Sequence, residues 1–171
     1  MVADRDWLAM FQVQQTIWRY FDCVNRADFD AMPALFATDA VWEEPFFGLR
    51  TESGEGFVNS LREMTAAAQL LVLTPHCPTI TMTGADSAHA TTTFHEVTKG
   101  VALDDGAFGD AGTEVNVQQY GIYYDDLARI DGSWKFTHRL AVVLYVEPGT
   151  LSGDVVADRA SLLAPTTQPG R

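Results

Sequence analysis

Two charged side chains interrupt the most apolar segment of the chain. His138 and Arg139 lie in the run 134–146, which also contains Val142, Val143 and Leu144 and is typical of a buried strand. Neighbouring residues of a strand point to opposite faces, so one of the pair must point inward and the other outward. An inward guanidinium can hold a carboxylate or polarise a substrate oxygen. The alternative is that Arg139 pairs with an acid at the surface.

A pair of adjacent acids near the middle of the chain raises the same question. Glu43 and Glu44 follow Trp42, and the alternation of a strand puts Glu44 on the face of Trp42 and Glu43 on the other. If that face lines an apolar pocket, the pKa of Glu44 rises and the side chain can act as an acid or base near neutrality. The alternative is two solvated acids on an edge strand.

His76 is a candidate for proton transfer. It lies between Pro75 and Cys77, so its strand is locally irregular, and the alternative is a histidine satisfied at a strand start. A nucleophilic Cys77 is disfavoured because adjacent strand residues face opposite ways. His76 and His95 lack the close ligand spacing of a metal site, so we expect no metal and place His95 on the outer sheet face.

The elements that must position these residues begin with three predicted helices. Apolar residues recur at helical spacing over residues 6–24, and a second, short helix is predicted over 29–37 with Asp28 as its N-cap. Pro33 makes a kink or a shifted boundary possible there. A third helix, capped by Thr51 or Ser53, is expected to run to about residue 69.

The remainder of the chain is predicted to be mostly strand. Alternation and β-branched residues mark strands over 70–84, 87–101, 115–130 and 133–146, and the pair Asp131–Gly132 favours a hairpin turn. A glycine- and aspartate-rich stretch, 102–114, is expected to be a loop over the sheet. Helices followed by antiparallel strands predict an α+β fold, in which a curved sheet covered by the helices encloses a pocket.

Composition limits the classes of partner. The chain has 171 residues and a net charge of −12, which disfavours nucleic acid and anionic membranes as partners. Two cysteines, Cys23 and Cys77, are too few for a disulfide framework, so a cytoplasmic location is the default. We expect one domain over residues 1–150 and a C-terminal tail over 151–171, with a possible short helix at 154–163 and a disordered end.

The stretch "YFDCVNRADFDAMPALFATDAVWEE", with "TPH" and "DGSWKF", resembles a known family. It is similar to the SnoaL-like family of the nuclear-transport-factor-2-like superfamily, which includes scytalone dehydratase, polyketide cyclases, hexachlorocyclohexane dehydrochlorinase and bile-acid dehydratase. The resemblance covers about residues 7–146. It implies a cone-shaped α+β barrel without metal or cofactor, and a homodimer or homotrimer.

The resemblance also implies roles for individual residues. In the dehydratase and dehydrochlorinase members, an Asp near the end of the first helix orients a general-base His on the second strand. The matching positions here are Asn25 and His76, and an amide in place of the carboxylate supplies no charge.

Further positions of the family site match residues on the helix and the other strands. These are Tyr20 on the first helix, Glu44 on the first strand, Thr98 on the third, Tyr123 on the fourth and Arg139 on the last, with Arg139 then facing inward.

The expected function is therefore that of a cofactor-independent acid/base enzyme. His76 would move the proton, Asn25 would orient it, Glu44 would be a second acid or base, and Tyr20 and Arg139 would stabilise an oxyanion.

An apolar, oxygenated small molecule such as a polyketide, terpenoid, steroid or aromatic intermediate is the expected substrate. Trp42, Thr98 and Tyr123 would bind it, and a dehydratase, cyclase or isomerase reaction would follow. The alternative, favoured by the missing Asp, is a non-catalytic binding or assembly protein on the same scaffold.

Overall fold

The described residues form two α-helices and seven strands. The computed structural model describes residues 4–102, 110–149 and 151–156. The elements are α1 (Asp4–Arg26), β1 (Phe36–Glu44), β2 (Leu49–Thr51), α2 (Gly54–Met64), β3 (Ala68–Pro75), β4 (Thr79–Met82), β5 (Ser87–Val101), β6 (Glu114–Ile130) and β7 (Ser133–Pro148), with short 3-10 turns at Met32–Leu35 and Pro45–Phe47. Residues 157–163 of the predicted tail helix and residues 103–109 of the predicted loop over the sheet lie outside the described residues, and residues 154–156 are not helical.

The strands form a single mixed sheet in the order β2-β1-β7-β6-β5-β3, with β4 also paired to β5. The α+β class is confirmed, but the prediction of a purely antiparallel sheet is wrong. β1 runs parallel to β7, with Trp42 beside Arg139 in the register. Register shifts between Tyr120 and Gly121 and between Asp126 and Leu127 mark bulges, which bend β6 and β7.

Helix α1 forms as predicted and buries one apolar face, although Trp7, Phe11 and Trp18 of the predicted apolar set are exposed. Val13, Ile17, Tyr20, Phe21 and Val24 are almost fully buried and lie at helical intervals along one face. This face packs across β3 and β4. The helix runs two residues past the predicted end, so that Asn25 lies in its last turn beside β3.

The predicted second helix does not form, and this corrects the expectation of three helices. Met32–Leu35 is a single 3-10 turn with Pro33 near its start. Proline has no N–H for a helical hydrogen bond, which disfavours a longer helix here. Phe36, predicted to be helical, instead pairs with Phe136 of β7 and belongs to a strand. β1 therefore begins at Phe36, within the residues predicted to form the second helix.

Local signals at two other boundaries are confirmed. The Ser53 hydroxyl accepts a hydrogen bond from the Gly56 N–H at 2.8 Å and caps α2, although the helix ends at Met64 rather than near residue 69. Asp131 and Gly132 both have positive φ, at 51° and 80°, as a tight two-residue hairpin between β6 and β7 requires.

One glycine in β6 allows an aromatic ring to lie flat on the sheet. A Cβ on Gly121 would lie 2.4 Å from the ring of Phe94 on β5. With that space free, Phe94 stacks on Tyr123 with 4.4 Å between ring centroids. This stack lies beneath the central cavity. No helix among the described residues is long and apolar enough to cross a membrane.

Candidate active site

A cavity of about 730 Å³ lies between the inner face of the sheet and the two helices. Its floor and walls are mainly aromatic, with Tyr20, Trp42, Phe47, Phe57, Phe94 and Tyr123 contributing rings. Glu44, Glu96, Thr98 and Gln119 add polar groups. A volume of this size suits a small organic molecule, and the few polar groups among many rings suit a mostly apolar one.

Glu44 lies inside this cavity and Glu43 lies outside, as the alternation of β1 predicts. Burial, with a smaller contribution from the charge of Glu96, raises the pKa of Glu44 to about 8. Its carboxyl group therefore keeps its proton at neutral pH. Glu43 accepts hydrogen bonds from His138, at 3.0 Å, and from Arg50, and these contacts lower its pKa.

Two cavity residues, Glu96 and Gln119, were not among the predicted site residues. They are direct neighbours across the β5–β6 ladder, and the Thr98 hydroxyl donates a 2.8 Å hydrogen bond to the Glu96 carboxylate. The sequence carried a signal for Glu96, because it is two residues from Thr98 and so shares its face. Gln119 carried the same signal, because it is four residues from Tyr123 on β6 and so shares its face.

Tyr20 and Tyr123 form a hydrogen-bonded pair in the cavity wall. Both are buried, and burial raises the pKa of each phenol above its ordinary value. They therefore carry their protons and act as neutral hydrogen-bond donors and acceptors. Tyr20 also meets Phe21, Phe36 and Phe136 edge to face or nearly so, which fixes its ring.

Arg139 points inward, as the resemblance implies, but it does not line the cavity, which corrects that expectation. Its guanidinium is fully buried and donates to both oxygens of Asp125, at 2.6 and 2.9 Å. It lies 4.0 Å from the ring centroid of Tyr20 and 4.3 Å from that of Tyr123. Asp125 was not predicted, because its role follows from its place opposite Arg139 in the β6–β7 register.

Asn25 does not contact His76. Its side-chain amide donates to the Leu73 carbonyl at 2.9 Å and accepts from the Leu73 N–H at 2.6 Å, so it binds the backbone of β3 like a neighbouring strand. The residue that faces Asn25 is therefore Leu73, which is buried and lines the cavity. Asn25 and His76 therefore do not form the Asp–His type of pair that the resemblance implies.

His76 is exposed and lies outside the cavity, which corrects its predicted place in the site. Leu71 and Leu73 are the buried residues of β3, whereas Val72 and Thr74 are exposed, and His76 continues the exposed set. It follows the end of the strand, where only its backbone N–H is bound, to the Thr93 carbonyl at 2.8 Å.

The described part of the cavity thus combines a protonated carboxyl group, a second carboxylate, two neutral phenols and an apolar wall. The indole N–H of Trp42 and the side-chain oxygen of Gln119 are buried and have no hydrogen-bond partner among the described residues. A bound molecule with both an acceptor and a donor would satisfy them. Such a site can give a proton to a substrate oxygen and take one back.

Comparison with solved structures identifies the same fold. The chain superposes on a hexachlorocyclohexane dehydrochlorinase of type 2 with a TM-score of 0.74 and 15% identity, covering 90% of this chain and 95% of the other. A candidate scytalone dehydratase from Novosphingobium aromaticivorans superposes with a TM-score of 0.72 and 14% identity, covering 88% of this chain and 93% of the other. A type-3 hexachlorocyclohexane dehydrochlorinase from Novosphingobium barchaimii superposes with a TM-score of 0.70 and 14% identity, covering 88% of this chain and 94% of the other.

The search among curated proteins found no match. The model of the SnoaL-like domain family, in contrast, matches residues 5–140, which include both helices, the cavity and the Asp125–Arg139 pair. The chain therefore belongs to the SnoaL-like domain family.

Proposed function

We propose that the protein is a cofactor-independent enzyme that uses Glu44 to move a proton on an apolar, oxygenated small molecule. The observation that carries this proposal is a carboxyl group that lies in a ligand-sized cavity and has a pKa of about 8. An acid with a pKa near the working pH is suited both to donate a proton and to recover it. A dehydratase reaction is the preferred chemistry, with isomerisation as the close variant.

The proposed dehydration needs one proton and returns it. Glu44 donates its proton to a substrate hydroxyl, the C–O bond breaks, and the oxygen leaves as water. The Glu44 carboxylate then removes a proton from the neighbouring carbon as the C=C bond forms, which restores the acid. Trp42 would donate to a second substrate oxygen, because this lining residue has a buried indole N–H without a partner among the described residues.

Tyr20 and Tyr123 would hold the reacting oxygen beside Glu44. Both hydroxyls are neutral, and the Arg139 guanidinium packs against both rings and holds them in place. Arg139 is thus proposed as a positioning residue rather than a catalytic one. Neither His76, which lies outside the cavity, nor Asn25, which binds the backbone of β3, is given a role in the reaction.

The test is a panel of apolar alcohols incubated with the purified protein and analysed for loss of water by mass spectrometry. A substrate should be turned over by the wild type and by Glu63→Gln, because Glu63 is an exposed residue at the cavity edge. Glu44→Gln should reduce turnover at least about a hundredfold, the usual scale of general-acid catalysis. Full activity in Glu44→Gln would contradict the proposal.

A non-catalytic binding protein is the second candidate, and one observation favours it. The resemblance places a catalytic Asp and its His at Asn25 and His76, but Asn25 binds the backbone of Leu73 and His76 lies outside the cavity. Under this alternative, the Glu44→Gln variant would bind the same ligands with altered affinity, and no member of the panel would change in mass.

We also propose that the protein forms a homodimer or homotrimer through the outer face of the sheet. Tyr120, Tyr124, Leu144 and Tyr145 expose 40% to 60% of their surface on β6 and β7, which is unusual for aromatic and aliphatic side chains of a monomer. The molar mass from light scattering should be two or three times that of the chain. Tyr145→Glu should lower it.

A further inference from the structure

Polar and apolar groups of the cavity wall occupy different levels along the strands. On the inner face of the sheet, Glu96 of β5 lies opposite Gln119 of β6. The next two inward pairs toward the end of β5 are Thr98 with Val117 and Gly100 with Val115. Because the Thr98 hydroxyl is already bonded to Glu96, the side chains beyond the Glu96–Gln119 level present mainly carbon to the cavity.

Two polar residues also line the cavity around this outer end, and neither makes it polar. The Thr65 hydroxyl donates to the Leu61 carbonyl at 2.9 Å, and Glu63 is exposed to solvent at the edge. The other described lining residues around this end are apolar or small: Leu61, Met64, Ala68, Leu71, Val101 and Ala102. We call the space between these residues, Val115 and Val117 the apolar channel.

The apolar channel leads from a closed end of the cavity to an open one. Met64 and Val101 line the cavity and are 47% and 42% exposed, so the channel opens to solvent beside them. Tyr20 and Tyr123, in contrast, are almost fully buried, and the charge of Glu44 acts on both phenols. The carboxyl group that would move the proton therefore lies at the closed end, and the way out to solvent is lined with carbon.

The length of the channel follows from the strand geometry. Successive inward residues of a strand are about 6.6 Å apart, so the Gly100–Val115 level lies about 13 Å beyond the Glu96–Gln119 level. With C–C bonds of about 1.5 Å, an extended hydrocarbon chain needs about ten carbons to fill this length. Each buried methylene group then favours binding by up to about fourfold.

We propose that the substrate is an elongated alcohol, whose hydroxyl lies near one end of an extended hydrocarbon chain of about ten carbons. This inference rests on the proposed function, because the Glu44 end of the cavity receives the reacting hydroxyl, and it specifies the substrate class. An oxygen at the far end of the chain would lie among Leu71, Val115 and Val117 and lose its hydrogen bonds with water. A compact molecule with oxygens on all sides would therefore bind poorly.

The homologous alcohols 1-butanol, 1-hexanol, 1-octanol, 1-decanol and 1-dodecanol test the chain length as ligands. Calorimetric titration should show the dissociation constant falling by about two- to fourfold for each added methylene up to about ten carbons. Longer chains should gain little, because the added methylenes leave through the open end. In the same assay, 1,6-hexanediol should bind at least about tenfold more weakly than 1-hexanol, since its second hydroxyl would be buried in the channel.

Two substitutions in the channel measure where the chain lies. Val117→Phe and Val115→Phe each place a ring across the channel, and Val117 is two residues nearer the closed end. Val117→Phe should therefore shorten the longest chain that still gains affinity by about four carbons more than Val115→Phe does. Val72→Phe is the matched control, because Val72 is exposed and lies outside the cavity, and it should leave the series unchanged.

An affinity that does not depend on chain length would overturn the inference, and so would equal shortening by the two channel variants. Equal binding of 1,6-hexanediol and 1-hexanol would also overturn it, and that comparison uses the wild type alone. These outcomes are read from binding, whereas failure of the proposed function is read from turnover. A protein that dehydrates only compact alcohols retains the function and loses the elongated substrate. A protein that shows the chain-length series but turns over no alcohol retains the channel and loses the catalytic role of Glu44.

Discussion

Replacing Glu44 by glutamine should stabilise the protein at neutral pH, although the change removes the proposed catalytic acid. The pKa of this carboxyl is about 8 in the folded chain, against an ordinary value of 4.5. At pH 7 the folded state must therefore keep a proton that the unfolded state releases. Stability is lost as the pH rises from 4.5 toward 8, and glutamine, which does not ionise, avoids that loss.

The size of this stabilisation follows from the interval between pH 7 and the ordinary pKa of a glutamate. That interval sets an upper limit of about 3 kcal/mol on the change in the free energy of unfolding. Glu44 is only partly buried, and water in the cavity reduces this value. We therefore expect Glu44→Gln to raise the free energy of unfolding by about 1 to 3 kcal/mol at pH 7, or the midpoint by roughly 3 to 10 °C. At pH 4 the two proteins should be nearly equal.

The neighbouring residue supplies a matched control with the opposite sign. Glu43 lies on the outer face, and its contacts with His138 and Arg50 lower its pKa. Glu43→Gln removes a carboxylate that favours folding above its ordinary pKa, so this variant should be less stable than wild type at pH 7. Urea unfolding of both variants at pH 4 and pH 7 makes the comparison. A destabilising effect of Glu44→Gln at pH 7, or an effect equal at both pH values, would refute the reasoning.

Two further predictions concern the buried polar contacts. Asp125→Asn leaves the Arg139 guanidinium buried without its counter-charge and should lower the free energy of unfolding in urea by about 3 to 5 kcal/mol. Asp126→Asn on the outer face should lower it by under about 1 kcal/mol. Similar costs for the two variants would contradict a structural role for the inner pair. Asn25→Asp removes the donor to the Leu73 carbonyl and should lower stability by about 1 to 3 kcal/mol without creating acid–base activity, and a gain in turnover would contradict this account.

Features that depend only on residues close together in the sequence can be predicted from the sequence alone. Alternation along a strand places Glu43 and Glu44, and likewise His138 and Arg139, on opposite faces whichever strands lie beside them. The Ser53 cap depends on an N–H only three residues away. Such contacts follow from local geometry, so the sequence alone determines them.

For His76, strand alternation and the resemblance to the family predict opposite orientations. The alternation of Leu71, Val72, Leu73 and Thr74 predicts an outward His76 when it is extended along β3, and the structure shows an exposed side chain there. The resemblance to the family suggested an inward histidine instead. The alternation of the strand predicted the exposed His76 correctly. It also places the side chain of Leu73 on the buried face, where the strand meets Asn25 of the helix.

What the tertiary structure decided is which groups meet across long separations in the chain. Glu44 acts on Glu96 because β1 and β5 face the same cavity, and Arg139 is neutralised by Asp125 because β7 pairs with β6 in one register. Many strand orders are compatible with the same alternation, and the choice among them depends on the packing of the whole core. The sequence alone therefore determined which way each side chain points, whereas the fold decided what each one meets there.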